Sequence, residues 1–409
     1  MSKRIGILTF HFSKHMGAVL QAYSLKTVIE KLGLSAEVIN YVPPKLYYHS
    51  PRLDNPLSTL RKHILLRREL HDNYTTRLIH TLQGILGDYI YQIFNLRHLL
   101  IDEHLYAEFA REQLQVNGET IIEIRQLKNI ISMYDVVVVG SDQVWNPDFL
   151  RDAEFAYLLP FKAPEVRKIA FSASIGSIKK LLKSEVFKRI FSYCLKDFAF
   201  VSIREKWHIA VLEKLVERSI HHTLDPTLLV DEGTLEGVAR KPKYVPLNIS
   251  GEDYIFVYNL DVTILPNVLK LVKGYNLPVI VYRTPSIVPL AEYARYREYW
   301  KLLSVSFEGP REIVWLIRNA AMIVTNSYHG LLLSIVFQKP VIFVMGGTAS
   351  VAPDRIIDII DLINAKNRII SFKDWWCLYL DEATIKEARQ LLKPFREHSI
   401  ELLKEALKD

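Results

Sequence analysis

Short runs of aliphatic and β-branched residues recur along the chain, apolar at nearly every position rather than at alternate ones. They are RIGILTF, AEVINYV, VVVVG, IAFSAS, FVSIRE, YIFVYNL, PVIVYRT, MIVTNS and PVIFVM. A strand that is apolar on both sides is buried on both faces, the condition of a parallel strand covered by helices. Stretches with helical spacing lie between many of these runs, as in Leu20 to Leu32, Glu185 to Asp197 and Arg311 to Ala320. The alternation predicts an α/β fold of doubly wound, Rossmann-like parallel sheets. At 409 residues the chain exceeds one ordinary core, so two such domains are expected.

The pattern lapses near residues 231–252, where glycine, proline and charge mix without a period. This sets expected boundaries: an N-terminal domain over 1–235, a C-terminal domain over 245–385, and a final helix over 386–409 with a kink at Pro394. Residues 45–118 break the alternation. Leu78, Leu82, Ile85, Tyr89, Ile93, Leu96 and Leu100 recur at steps of four and three, giving one apolar helical face behind the basic stretch LRKHILLRREL. The plainer reading is a helical insertion packed on the N-terminal domain. The sharper one is a peripheral membrane or dimer contact.

Composition narrows the class. Hydrophobic residues make up 49% and charged residues 24%, a globular balance. A net charge of +7 suits anionic ligands, an acidic membrane surface or nucleic acid, without choosing among them. No interleaving of aromatic and basic residues favours nucleic acid. The two cysteines, Cys194 and Cys377, lie far apart and outside any Cys/His spacing, so neither a disulfide framework nor a metal site is expected. No run reaches the ~20 apolar residues of a membrane span. The expectation is a cytoplasmic protein, with membrane-peripheral attachment left open.

Four strand ends carry candidate chemistry. In MIVTNSYHGLLLSIVFQKPVIFV, a buried strand turns through Asn326 to Gly330 into an apolar helix. Unpaired N–H groups and the helix dipole make such a start an anion site. Ser327 can cap it, Gly330 permits close backbone approach, and His329 can move a proton near neutral pH. The plainer reading makes Ser327 only a cap and His329 a satisfied turn residue. In YDVVVVGSDQVWNP, Ser141, Asp142, Gln143, Trp145 and Asn146 supply a carboxylate, amides and an indole suited to a sugar. The alternative is a turn capped by Asp142 with Trp145 in the core. In FVSIRE, Arg204 ends a buried strand, where it needs an anion or an acid partner such as Glu205. GAVLQAYSL opens the first helix, and Gly17 lets a ligand or loop come close. It is not a dinucleotide fingerprint, and neither a Walker A sequence nor a nucleophile elbow is present. LDPTLLV reads as the start of a strand.

Taken together, these stretches resemble the polysaccharide pyruvyl transferase family. GAVLQAYSL resembles its Gly-x-x-Leu-Gln-Ala-x-x-Leu, VVVVGSDQVWNP its Gly-Ser-Asp-Gln-x-Trp-Asn block, and VSIRE its Ser-x-Arg-Glu/Asp. LDPTLLV resembles its Asp-Pro-Thr, and TNSYHGLLLSIVFQKPVIFV its Ser-x-His-Gly and Lys-Pro block. The five motifs run in order from Gly17 to Val344. One departure is that His15 and Met16 stand where the family usually has an Asn and an aromatic residue.

The resemblance implies two domains in the GT-B glycosyltransferase arrangement. It implies transfer of the pyruvyl group of phosphoenolpyruvate onto two hydroxyls of a sugar, as a ketal, with phosphoenolpyruvate as donor substrate and no cofactor. It gives Arg204 and His329 to the donor, with Ser327, Tyr328 and Gly330 in the same loop. His329 is expected as general acid and Asp142 as the candidate base. Gly17, Gln21, Ser141 and Trp145 are expected to bind substrate. The acceptor would be a sugar or a lipid-linked oligosaccharide. Two alternatives stay open: a nucleotide-sugar glycosyltransferase on the same fold, and a non-catalytic sugar-binding relative. Oligomeric state is not legible in the sequence.

Overall fold

A computed structural model describes residues 3–44, 103–243 except 117 and 152, 254–260, 264–282, 302–305, 309–345, 353–372 and 375–408. Most of the expected insertion, including its apolar face over 78–100, lies outside the described residues; residues 103–112 are helical.

The first sheet contains β1 (Arg4–Leu8), β2 (Ser35–Val38), β3 (Val136–Val139), β4 (Arg167–Ala173), β5 (Phe200–Ile203) and β6 (His221–His222). Their order is β2-β1-β3-β4-β5-β6, and every pairing is parallel. The second contains β7 (Ile255–Tyr258), β8 (Val279–Tyr282), β9 (Leu302–Val305), β10 (Met322–Thr325), β11 (Val341–Met345), β12 (Ile369–Ser371) and β13 (Trp376–Leu380). Its order is β12-β13-β11-β10-β7-β8-β9, with β13 antiparallel to both neighbours and the other pairings parallel. All nine apolar runs form strands. The strands without a sequence signal are β6, β9, β12 and β13. β6 has only two residues, and β12 and β13 extend the parallel sheet by antiparallel pairs.

The principal helices are α1 (Met16–Lys31), α2 (Ile178–Lys183), α3 (Glu185–Leu195), α4 (Pro310–Asn319), α5 (Tyr328–Val336), α6 (Pro353–Leu362) and α7 (Glu382–Lys408). Alternate residues of one strand enter different cores, as the pleat requires. Val136 and Val138 face an inner core that also holds Leu20 of α1 and Phe256, Ile317 and Leu332 of the second domain. Val137 and Val139 face an outer core with Trp145 and Phe191. Val257 and Val324 face a third core on the far side of the second sheet. The inner core therefore joins the two domains, and α1 is buried on most of its surface between them.

α7 leaves the second sheet and returns to the first domain. Ser399 Oγ accepts from the Leu224 N–H at 3.0 Å, and Arg167 Nε donates to the Ala406 carbonyl at 3.0 Å. LDPTLLV is not a strand: residues 226–228 form a 3-10 turn, in which the Asp225 carboxylate accepts from the Thr227 N–H. Pro226 has no N–H to give a ladder, so the turn replaces it. Strand order reverses between β1 and β3 in one sheet and between β7 and β10 in the other. Ligands of open α/β sheets bind in the crevice outside such switch points. Among the described residues no helix is long and apolar enough to cross a membrane.

Candidate active site

The loops after β3, β5 and β10 converge with the start of α1 at the crevice between the domains. Arg204 follows β5 and is almost wholly buried. Its Nη1 donates to Asp225 Oδ2 and its Nη2 donates to Asp142 Oδ1 at 3.1 Å. The acid partners are thus Asp142 and Asp225, not Glu205, which accepts instead from Ser174 Oγ. Burial opposes the charge of Asp225, but the Arg204 guanidinium and His329 hold its carboxyl well below the usual range. Asp142 is lowered in the same way: burial works upward and Arg204, His329 and Arg355 work downward. Asp142 anchors Arg204 through this pair.

α5 begins at Tyr328 with Ser327 as its N-cap, the Ser327 hydroxyl accepting from the Gly330 N–H at 3.4 Å. By helix geometry the N–H groups of Tyr328 and His329 have no partner within the helix. Thr325 Oγ1 would lie 2.7 Å from a Cβ at Gly330, so the turn out of β10 requires glycine there. His329 is buried, and its Nε2 lies 3.5 Å from Asp225 Oδ2 without hydrogen-bond alignment. Its other ring edge rests on Gly17: a Cβ at that position would stand 2.1 Å from His329 Nδ1. The glycine of the first helix and the histidine of the fifth are therefore one contact across the domains.

Two groups were not singled out as site residues from the sequence. Arg355, on α6, is 8% exposed, and its guanidinium lies 5.1 Å from the Tyr328 ring centroid while that of Arg204 lies 5.0 Å from the same centroid. Among the described residues Arg355 makes no ion pair, and its buried Nε has no hydrogen-bond partner. Burial, then Arg204, lowers its pKa, and the more distant charges of Asp142 and Glu205 do not make up for this. Nothing in PDRII separates it from an ordinary helical arginine.

The second is His15, noted only as a departure from the family pattern. Its ring centroid is 6.5 Å from that of His329. It occupies the N-cap of α1 without making a side-chain cap bond. Burial, then His329, lowers its pKa to about 4, so it is neutral at physiological pH.

Three of the expected substrate contacts are fully buried. Trp145 is fully buried, edge-on to Phe191, with Nε1 donating to the Tyr157 carbonyl at 3.1 Å. Ser141 is buried and donates to the Ser172 carbonyl at 2.9 Å. Gln21 Nε2 donates to Thr9 Oγ1 at 2.9 Å and to the Ala18 carbonyl at 2.7 Å. All three brace backbone or side chains around the site.

Comparison with known proteins agrees with this layout. A search of the curated proteins returned no match. Solved structures show the fold. A Listeria monocytogenes protein assigned as a UDP-N-acetylglucosamine 2-epimerase superimposes with a TM-score of 0.50 at 10% identity, covering 99% of this chain and 91% of that one. The Neisseria meningitidis UDP-GlcNAc 2-epimerase gives 0.47 at 11% identity, covering 98% and 93%. The two Rossmann-like domains thus take the GT-B-like arrangement. The family model for polysaccharide pyruvyl transferases matches residues 15–346, a span holding all the site residues but Arg355. The chain belongs to the polysaccharide pyruvyl transferase family.

Proposed function

We propose that the protein transfers the pyruvyl group of phosphoenolpyruvate onto two hydroxyls of a sugar in a surface polysaccharide or its precursor, forming a ketal and releasing phosphate. The observation that carries this reading is Arg355, a buried guanidinium without a carboxylate partner among the described residues. It lies over the ring of Tyr328, the first residue of α5, and a small carboxylate or phosphate there relieves its desolvation.

The reaction balances as follows. The methylene carbon of phosphoenolpyruvate gains one proton and becomes a methyl group. The central carbon forms two C–O bonds to the sugar and loses its bond to the phosphate oxygen. Of the two hydroxyl protons released, one ends on carbon and one leaves with phosphate. In this reading His329 delivers the proton to the methylene carbon or the departing phosphate, a role typically worth ~10²–10⁴-fold. His15, neutral and close to His329, accepts the proton of the attacking hydroxyl. The donor's negative charge raises its basicity as it binds. Arg204 and Arg355 hold the donor, and no step is routed through a metal or a cofactor. The acceptor is a sugar, free or lipid-linked.

Thermal unfolding with phosphoenolpyruvate tests the donor. Saturation at ~100 times the dissociation constant adds ~2.7 kcal/mol and raises the midpoint by a few degrees. The expected shift disappears in Arg355→Ala, whose unliganded midpoint serves as the folding control. Phosphoenolpyruvate-dependent phosphate release on adding a sugar acceptor completes the test. A shift with nucleotide sugars alone would overturn the assignment.

A further inference from the structure

Away from the cleft, one face of the first domain carries positive charge that its neighbours do not balance. Residues 178–196, IKKLLKSEVFKRIFSYCLK, hold six basic side chains against one acid, Glu185. Most nearby acids are already engaged, while Glu154 lines the groove beside Arg189 without an ion pair among the described residues. Asp148 pairs with Lys180 at 2.5 Å, Glu185 with Lys188 at 2.5 Å and Glu217 with Lys196 at 3.5 Å. Asp197 is held by Lys162 and Lys168. Lys179, Lys183 and Arg189 are left exposed and without an ion pair among the described residues.

Apolar side chains stand between these cations, and they face water. Leu182 is 38% exposed, Val186 63% and Tyr193 68%. On α3, Val186, Arg189 and Tyr193 fall at i, i+3 and i+7 and so share one face, while Phe191, Cys194 and Leu195 on the opposite side are buried. A shallow, mainly apolar groove of about 390 Å³ opens beside that face, between Phe155, Pro160, Ile190 and Tyr193.

We propose that the α2–α3 face docks on the surface of an anionic lipid bilayer. Free cations interleaved with projecting aliphatic and aromatic side chains are the pattern of an interfacial helix: the cations meet lipid headgroups and the apolar groups enter the acyl boundary. A nucleic acid would use the charge but leave Leu182 and Val186 without a role. The position is informative too. α2 starts just past the carboxyl end of β4, and Gly176 before it packs against the Asn146 and Gln143 side chains of the loop that carries Asp142. Docking here sets the rim of the cleft against the membrane. Binding stands independently of the reaction proposed above; only the inference that the sugar acceptor is presented on lipid rests on that reading.

Flotation of the purified full chain with phosphatidylcholine vesicles, with and without phosphatidylglycerol, tests the proposal. The expected result is binding only to the anionic vesicles, lost at high salt. Lys179→Glu with Lys183→Glu and Arg189→Glu weakens it by roughly a hundredfold. Val186→Asp with Tyr193→Asp weakens it further. A charge-matched triple on α7, Lys386→Glu with Lys393→Glu and Lys408→Glu, retains it. These side chains are on the surface, and thermal melts confirm the folding of each variant. The proposal is overturned by absence of binding to either vesicle, or by equal loss in the α7 control, which would mean bulk charge alone. Undiminished binding by the α2–α3 triple would also overturn it and move the contact elsewhere. So would a patch-dependent affinity for a single-stranded oligonucleotide in the absence of vesicle binding.

Discussion

A methyl group on Gly17 would collide with the His329 ring, 2.1 Å from Nδ1. Neither partner can yield easily, because α1 and α5 are both buried. Gly17→Ala therefore displaces the imidazole from Asp225 and from the α5 start. The expected outcome is a protein destabilised by about 1–3 kcal/mol through overpacking, with turnover almost abolished. Phosphate release assayed beside a denaturant melt checks this, and full turnover in the variant would refute the contact as a catalytic constraint. The same site shows what residue-level reading can and cannot reach. Arg204 and His329 stand out because a strand end or a helix start gives each a local signal. Arg355 gives none: its significance is that no carboxylate pairs with it among the described residues, and contacts across the fold are not written in PDRII.

At the scale of elements, the two domains interlock where α6 meets the loop after β5. The Asp358 carboxylate accepts from the Lys206 N–H at 2.6 Å, and His208 Nε2 lies 3.0 Å from Asp354 Oδ2. Burial pushes the Asp358 carboxyl up to about 7; the Lys206 N–H pulls it down and Glu205 pushes it further up. Between the ordinary aspartate value and about 7, the folded chain keeps this proton and the unfolded chain has lost it. Folding stability from this group therefore falls as pH rises through that window and levels off above it. Asp358→Asn keeps an acceptor for Lys206 but removes the titration. Its melting temperature relative to the parent is expected to rise between about pH 5 and about pH 8. Parallel curves for the two proteins would show that Asp358 is not the titrating group.

At the scale of the whole molecule, α7 holds the second domain against the first. The Leu224 N–H is buried and its acceptor is the Ser399 hydroxyl, 175 residues away. Ser399→Ala leaves that N–H without a partner and is expected to cost about 1–3 kcal/mol. The loss is expected in the melting temperature, with KM for the donor little changed, because the contact lies on the α7 side of the Asp225 turn and touches neither Arg355 nor His329. A variant that melts like the parent but loses donor affinity would instead make α7 part of the binding mechanism.

The sequence by itself determined the parallel two-domain fold, because strands buried on both faces are apolar at nearly every position, the pattern most of the nine runs show. It also determined where chemistry could sit, since glycine, small polar residues and a charge at the end of such a strand have few other uses. The tertiary structure alone decided the roles. It gave the Arg204 fork to Asp225, 21 residues on, and to Asp142, 62 residues back. It put Trp145 in a core, Gly17 under His329, and Arg355 and Arg204 by one tyrosine ring. Periodicity is a property of neighbours along the chain and survives in one dimension. Charge compensation and steric contact depend on distances that exist only after the chain has folded.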